Sequence, residues 1–205
     1  MAPEMTSALK IVHRGRRLVA GFVRDKRGVA AVEFVFIVPL MLALTFGTIE
    51  VSSAVAIDRK VTLVARTLSD LVSQGSQVKQ AELKNFFGLG SAIMTPYPVT
   101  PTTLTQQISA VSIDASKKAT VVWSYSGKVS GGAASTPIVS TDHPPGTVVT
   151  TSIPPGLLVP NTQLIWSEVK YTYEPVSGFF MISKDLSDEC FTRPRQSDTV
   201  PYSAT

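Results

Sequence analysis

The chain has 205 residues, with 19 Lys and Arg against 15 Asp and Glu, a formal net charge of +4. Hydrophobic residues make up 44% and charged residues 17%, and mean hydropathy is +0.20. Disorder requires low hydrophobicity and high charge, so a disordered or collagen-like chain is excluded, and a single cysteine excludes an intrachain disulfide scaffold. The length suits one domain plus an appendage, and low charge with positive mean hydropathy directs attention to a membrane segment.

The charge is unevenly spread. Residues 1–28 carry seven basic side chains (Lys10, Arg14, Arg16, Arg17, Arg24, Lys26, Arg27) against Glu4 and Asp25, a net of +5. Residues 29–57 carry only Glu33 and Glu50, and residues 58–205 carry 12 basic and 11 acidic residues. The isoelectric point of 9.3 therefore originates in the first 28 residues rather than in a folded basic face. Nucleic-acid binding calls for such a face, so no nucleic-acid partner is expected.

Phe34 to Ile49 is a run of sixteen uncharged residues, and Val29 to Ile57 is interrupted only by Glu33 and Glu50. As a helix, 29 residues would span roughly 43 Å, more than the ~30 Å hydrocarbon core of a bilayer. The run is apolar on all sides, and the basic block before it predicts an N-terminus held on the cytoplasmic side, with residues 58–205 translocated. Pro39 and Gly47 suit a membrane helix better than a soluble one.

This segment admits more than one reading. Ala54-Val55-Ala56 has the small-residue form of a signal-peptidase site, which would release a secreted or periplasmic binding domain after Ala56. Against this, the basic leader is long and the apolar block exceeds the usual ~7–15 residues. The other reading starts from Gly28-Val29-Ala30-Ala31-Val32-Glu33-Phe34, where a glycine follows a basic run and a carboxylate lies five residues on, at the edge of the apolar block. A charge there is costly unless it pairs or stays near the interface. A cut after Gly28 would create an α-amino group at Val29, and in a packed helical assembly a neighbour's amine could neutralise Glu33.

G-x-x-x-x-E-F before a hydrophobic helix resembles the prepilin peptidase site of type IVb pilins. The longer run from Arg27 through Val38-Pro39 is similar to the segment that marks the TadE/TadG pseudopilins of the bacterial tight-adherence (Tad, Flp) pilus apparatus, and Gly47-Thr48-Ile49-Glu50 matches its continuation. The resemblance covers roughly residues 24–75, and Leu186 through Arg195 is a weaker, family-like ending. It implies a single-pass inner-membrane minor pilin or pseudopilin, with its N-terminus cytoplasmic and its C-terminus periplasmic, supporting pilus assembly. It implies processing between Gly28 and Val29, subunit docking through Glu33 and Phe34, and no activity of the protein's own. The implied partners are the lipid bilayer, other pilins or pseudopilins, a prepilin peptidase and pilus assembly platform proteins.

Beyond the membrane, Ile57, Val61, Val64, Leu68, Leu71 and Val72 recur at spacings of three and four, predicting a helix to about Gln74 with Gly75 as its stop. A second helix is expected over Lys79 to Met94. Residues 96–160 hold nine of the fourteen prolines, which favours short strands. Leu104 to Ile113 reads as a strand, Asp114-Ala115-Ser116 as a turn, and Ala119, Val121, Trp123 and Tyr125 as one face of a second strand. Gly127 to Gly146 reads as a loop and Val148 to Thr150 as a short edge strand. Leu164 to Tyr173 is expected to point Ile165, Val169, Tyr171 and Tyr173 one way and Trp166, Glu168 and Lys170 the other, with Phe179 to Ser183 as its hairpin partner and an irregular tail after Arg193. The predicted fold class is α+β: a long N-terminal membrane-spanning helix followed by a helix-backed antiparallel sheet of four or five strands. The organisation is a basic cytoplasmic leader (1–28), a transmembrane helix (29–57), a helical stalk (58–94) and a β-rich periplasmic head (95–205).

No catalytic or metal-binding residue is expected, and no cofactor. His13 and His143 are isolated, Cys190 is the single cysteine, and S-x-x-K occurs at Ser7–Lys10, Ser76–Lys79 and Ser167–Lys170 without its companion elements. Trp123, Trp166, Tyr171 and Tyr173 could form a stacking platform, but sheet packing accounts for them by strand preference.

Overall fold

An unbroken apolar run followed by a three-and-four stripe has no internal signal to stop a helix before Gly75, and one helix results. The computed structural model describes residues 27–175 and 183–204, so the leader, its charges, His13 and residues 176–182 of the expected Phe179–Ser183 strand lie outside the described residues. Helix α1 runs from Arg27 to Ser73, with Pro39 inside it, and divides between two compact units, Met1–Thr48 and Ile49–Thr205. It ends one residue before the expected Gln74, whose amide still bonds to the Asp70 carbonyl at 3.1 Å.

In the second unit, a short strand β1 (Val78–Lys79) leads into α2 (Gln80–Met94). The Glu82 carboxylate accepts from the Lys79 amide at 2.9 Å, satisfying one orphan donor at the start of α2. At its other end, Lys60 Nζ donates to the Ile93 and Thr95 carbonyls at 2.7 and 2.8 Å, which ties α1 to the C-terminus of α2. The sheet follows: β2 (Leu104–Ile113), β3 (Ala119–Ser130), β4 (Ala133–Ala134), β5 (Ile138–Val139), β6 (Thr162–Tyr173) and β7 (Lys184–Thr192). Its order is β4-β3-β2-β6-β7, with β5 also on β3, and every pairing is antiparallel. It therefore has six strands rather than four or five. A last strand, β8 (Tyr202–Ser203), pairs parallel with β1.

One sheet face packs on the helices. Ile57, Val61, Val64, Leu68 and Val72 of α1, and Leu83, Phe87 and Met94 of α2, meet Leu104, Ile108, Trp123, Ile165, Val169, Tyr171 and Tyr173 in the main core. The expected α1 stripe is buried except Leu71, which is half-buried. The other face carries a smaller core of Val111, Ile113, Val121, Leu164 and Trp166, covered by Val149, Ile153 and the 3-10 turn at Pro155–Leu157.

The structure corrects several expectations. Ala119, Val121, Trp123 and Tyr125 do not share a face. The β2–β3 register shifts between Ala110 and Val111, where Ala110 faces Trp123 and Val111 faces Val121, so Val122 is an extra, bulged residue. One inserted residue inverts the alternation, placing Trp123 toward the helices and Val121 in the opposite core. The expected loop from Gly127 is strand as far as Ser130, because Gly127 is where α2 approaches the sheet. A Cβ there would run into the Phe87 ring, and one at Gly90 into the Gln106 amide. Among the described residues the hairpin partner of β6 is Lys184–Thr192, and of the expected Phe179–Ser183 strand only Ser183 is described, outside it. Val148 contributes a single bridge to Thr120 rather than a strand. The tail is not irregular throughout: Val200 is buried, its amide donating to Gln163 Oε1 at 2.6 Å and its carbonyl accepting from Trp123 Nε1 at 2.7 Å.

Candidate functional site

The chemistry-bearing positions fall into two groups, one in each unit. In the first, α1 carries Gly28, Val29, Glu33 and Phe34 as exposed residues, Val29 at 58% and Phe34 at 66%. Val29 and Glu33 stand four residues apart and share a helix face, while Phe34 is turned about 100° from Glu33. An α-amino group at Val29 would lie one turn from the Glu33 carboxylate of the same chain. No Cβ at Gly28 would meet another atom within 4 Å, so its smallness serves no packing role among the described residues.

From Phe34 to Ile49 the surface is greasy all round: Phe36 is 75% exposed, Leu40 61% and Leu44 63%. An 18-residue window of this helix has a mean hydropathy of 2.4 and is 0% buried. Its two hydroxyls are satisfied internally, Thr45 Oγ1 donating to the Met41 carbonyl at 2.8 Å and Thr48 Oγ1 to the Leu44 carbonyl at 2.7 Å. A soluble core helix would bury such a surface. This one exposes it with both hydroxyls of the run bonded to its own backbone, as suits a lipid-facing helix. Length and apolarity suit a single-pass membrane anchor.

In the second unit, Glu50 is turned inward and is 2% exposed, and its carbonyl lies 3.5 Å from the Tyr173 hydroxyl. Burial raises the Tyr173 pKa, and the nearby Glu50 charge adds to the rise. The sequence reading left Glu50 without a role. One signal pointed to its position, since the buried stripe of α1 runs backward from Ile57 by seven residues to Glu50, but a charge after an apolar run masks that signal.

The outer sheet face holds the remaining titratable cluster. Glu168 Oε1 lies 3.3 Å from His143 Nε2, and Gln107 Nε2 donates to Glu168 Oε2 at 2.8 Å. The His143 ring stacks on Trp166 at 4.6 Å, Trp166 stacks on Phe191 at 5.4 Å, and Trp166 Nε1 donates to Glu189 at 3.1 Å. Burial pushes the Glu168 carboxyl above its usual range, with the His143 charge opposing. Gln107, Glu168 and Glu189 of this cluster line an open groove of about 440 Å³. Cys190 does not join them, since it packs with the helix-facing core on the other side of the sheet from the ring of His143; the Ser140 hydroxyl does, donating to Gln107 Oε1. Burial raises the Cys190 thiol pKa and so suppresses thiolate. Ser167 is buried and donates to the Ala65 carbonyl at 2.6 Å, which gives the Ser167–Lys170 pattern a packing role. Trp123 and Trp166 belong to different cores and form no common platform. Among the described residues, no three His, Cys, Asp or Glu side chains gather into a metal-holding group.

Comparison with known proteins adds one match. No curated protein and no solved structure matches the chain. The family model described as TadE-like protein matches residues 28–69, starting at the glycine before the apolar block and running through the buried stripe of α1. The exposed apolar span and its continuation into the head are thus similar to a TadE-like segment over residues 28–69.

Proposed function

We propose that the protein is a membrane-anchored minor pilin or pseudopilin that supports assembly of a tight-adherence pilus and catalyses no reaction itself. The observation that carries this reading is the coincidence of the TadE-like match, beginning at Gly28, with a helix whose charge-free run Phe34 to Ile49 has no buried residue. In this reading the helix anchors the chain in the inner membrane with the leader cytoplasmic and residues 58–205 periplasmic. A prepilin peptidase cuts between Gly28 and Val29, and Glu33 with Phe34 docks the helix to another pilin or pseudopilin. A carboxylate on the rim of an apolar helix has a strong reason to seek a cationic partner, and a new α-amine on a neighbouring subunit supplies one.

Mass spectrometry of the mature N-terminus tests the processing step: Val29 is expected, and a chain starting at Ile57 would mean release of a periplasmic domain instead. Ile57 is 1% exposed in mid-helix and Ala54 packs against the main core, so a cut after Ala56 would sever the helix inside its packed region. Recovery of the protein with the membrane fraction or with sheared pili is the expected distribution. For docking, Glu33→Ala should reduce pilus yield while leaving the anchor in the membrane, and unchanged pili would remove the role assigned to Glu33.

A further inference from the structure

The burial of Glu50 changes the length of the uncharged surface. Phe34 to Ile49 is charge-free, and Glu50 faces into the head, so the outer side of α1 exposes no charge until Asp58 and Arg59. Val51 and Val55, at 55% and 48% exposure, continue the apolar surface past Glu50. Phe34 to Ile57 is 24 residues, about 36 Å of helix against a ~30 Å hydrocarbon core. With Phe34 at the inner edge of the hydrocarbon and the helix upright, this excess reaches headgroup depth on the head side, together with whatever packs beside it.

What packs beside it is the end of the sheet where β6 leaves at Tyr173 and β7 returns at Lys184. A cleft of about 240 Å³ is lined by Ala54, Val55, Asp58, Tyr173, Lys184 and Leu186. A second, of about 220 Å³, lies on the other side of Tyr173, between Ser53 and Ile57 of α1 and the half-buried ring of Tyr97. Tyrosine is enriched at membrane interfaces, where an apolar ring meets a wet hydroxyl. The exposed charges here, Asp58, Arg59, Glu174 and Lys184, balance two against two, so neither an acidic nor a basic partner is selected.

We infer that the base of the head, around the exposed Val51 and Val55 and the half-buried Tyr97, is a lipid-contacting surface seated in the headgroup layer of the leaflet through which α1 emerges. This rests on the membrane-anchor reading and goes beyond it, because an anchor alone would allow the head to stand clear of the bilayer. Contact is through apolar and aromatic groups, so zwitterionic lipid suffices and added salt does not release it.

The test uses the full chain in dilute phosphatidylcholine proteoliposomes, with a Cys190→Ser background and one fluorophore placed through Val55→Cys, Val51→Cys, Ala115→Cys or Leu42→Cys. Ala115 is an exposed residue in the β2–β3 turn. Labels at Val51 and Val55 should be quenched by lipids spin-labelled near the headgroup, with iodide quenching about threefold or more below that at Ala115, at low and high salt alike. Iodide access at Val55 equal to that at Ala115 would overturn the inference. Protection without lipid quenching, rising with protein-to-lipid ratio, would mean that another protein copy covers the surface, and would overturn it as well. The Leu42 label separates the two levels of argument. Quenching there by deep-chain probes with an aqueous Val55 sinks only the seated head, whereas no deep quenching at Leu42 sinks the anchor and the inference together.

Discussion

Residues 28–48 and 49–73 belong to one helix, and both are rich in Val, Leu and Ala, yet they meet opposite surroundings. In the first stretch large apolar side chains stand out on all sides, while in the second Ile57, Val61, Val64 and Leu68 are at most 1% exposed. The difference is not one of helix propensity. A stripe at three-and-four spacing can be buried by one sheet face, whereas a helix apolar all round needs an apolar solvent or several neighbours. The same phenyl group therefore does different work at Phe36, 75% exposed, and at Phe87, 0% exposed.

The largest effect should separate these two phenylalanines. Phe87→Ala should destabilise the head by about 3–5 kcal/mol in urea unfolding followed by circular dichroism, because the ring fills the seat against Gly127. Phe36→Ala should leave that transition in place, and a comparable loss at both positions would break the distinction. The reverse dissociation is expected of Leu42→Arg. An arginine at the middle of the span costs about 2.5–3.5 kcal/mol of insertion, so carbonate-resistant membrane retention should fall while head stability stays constant. Next comes Gly127→Ala, where the added methyl must displace the Phe87 ring at a cost of about 1–3 kcal/mol. Gly28→Ala, with no atom in reach of the new methyl, should not alter the unfolding midpoint.

The smallest effect sharpens the head itself. Burial raises the Glu168 pKa in the folded state, so the folded head holds that proton more tightly than the unfolded chain does. This stabilising contribution is complete below the unfolded pKa and is lost as pH rises through the raised folded value. Between about pH 4 and pH 7 the urea midpoint of the native protein should fall relative to that of Glu168→Gln. Parallel profiles would show that the His143 and Gln107 contacts offset the desolvation in full.

Much of the head was legible because its signals are local. Leu104–Ile113 follows from β-prone composition between turn signals, and α2 from its apolar spacing closed by Pro96 and Pro98. The Asp114 turn is built by one carboxylate accepting from the Ser116 and Lys118 amides at 2.8 and 2.9 Å. The errors share a different cause. The bulge at Val122, the strand character of Gly127 and the pairing of Tyr202 with Val78 all depend on partners remote in the chain. Of the candidate site, Gly28, Val29, Glu33 and Phe34 were visible as a pattern beside a charge gradient. The inward turn of Glu50 was not, because a charge after an apolar run reads as the end of a membrane span.

By itself, the amino-acid sequence determined where the greasy helix begins, that it is uncharged for sixteen residues, and which segments are helix or strand, since hydropathy and periodicity act over a few residues. Only the tertiary structure decided which face each side chain serves and how far the apolar surface extends beyond Ile49. Burying Glu50 against Tyr173 and inserting Val122 between paired strands are outcomes of packing, in which a single position takes its environment from elements more than a hundred residues away or across a sheet.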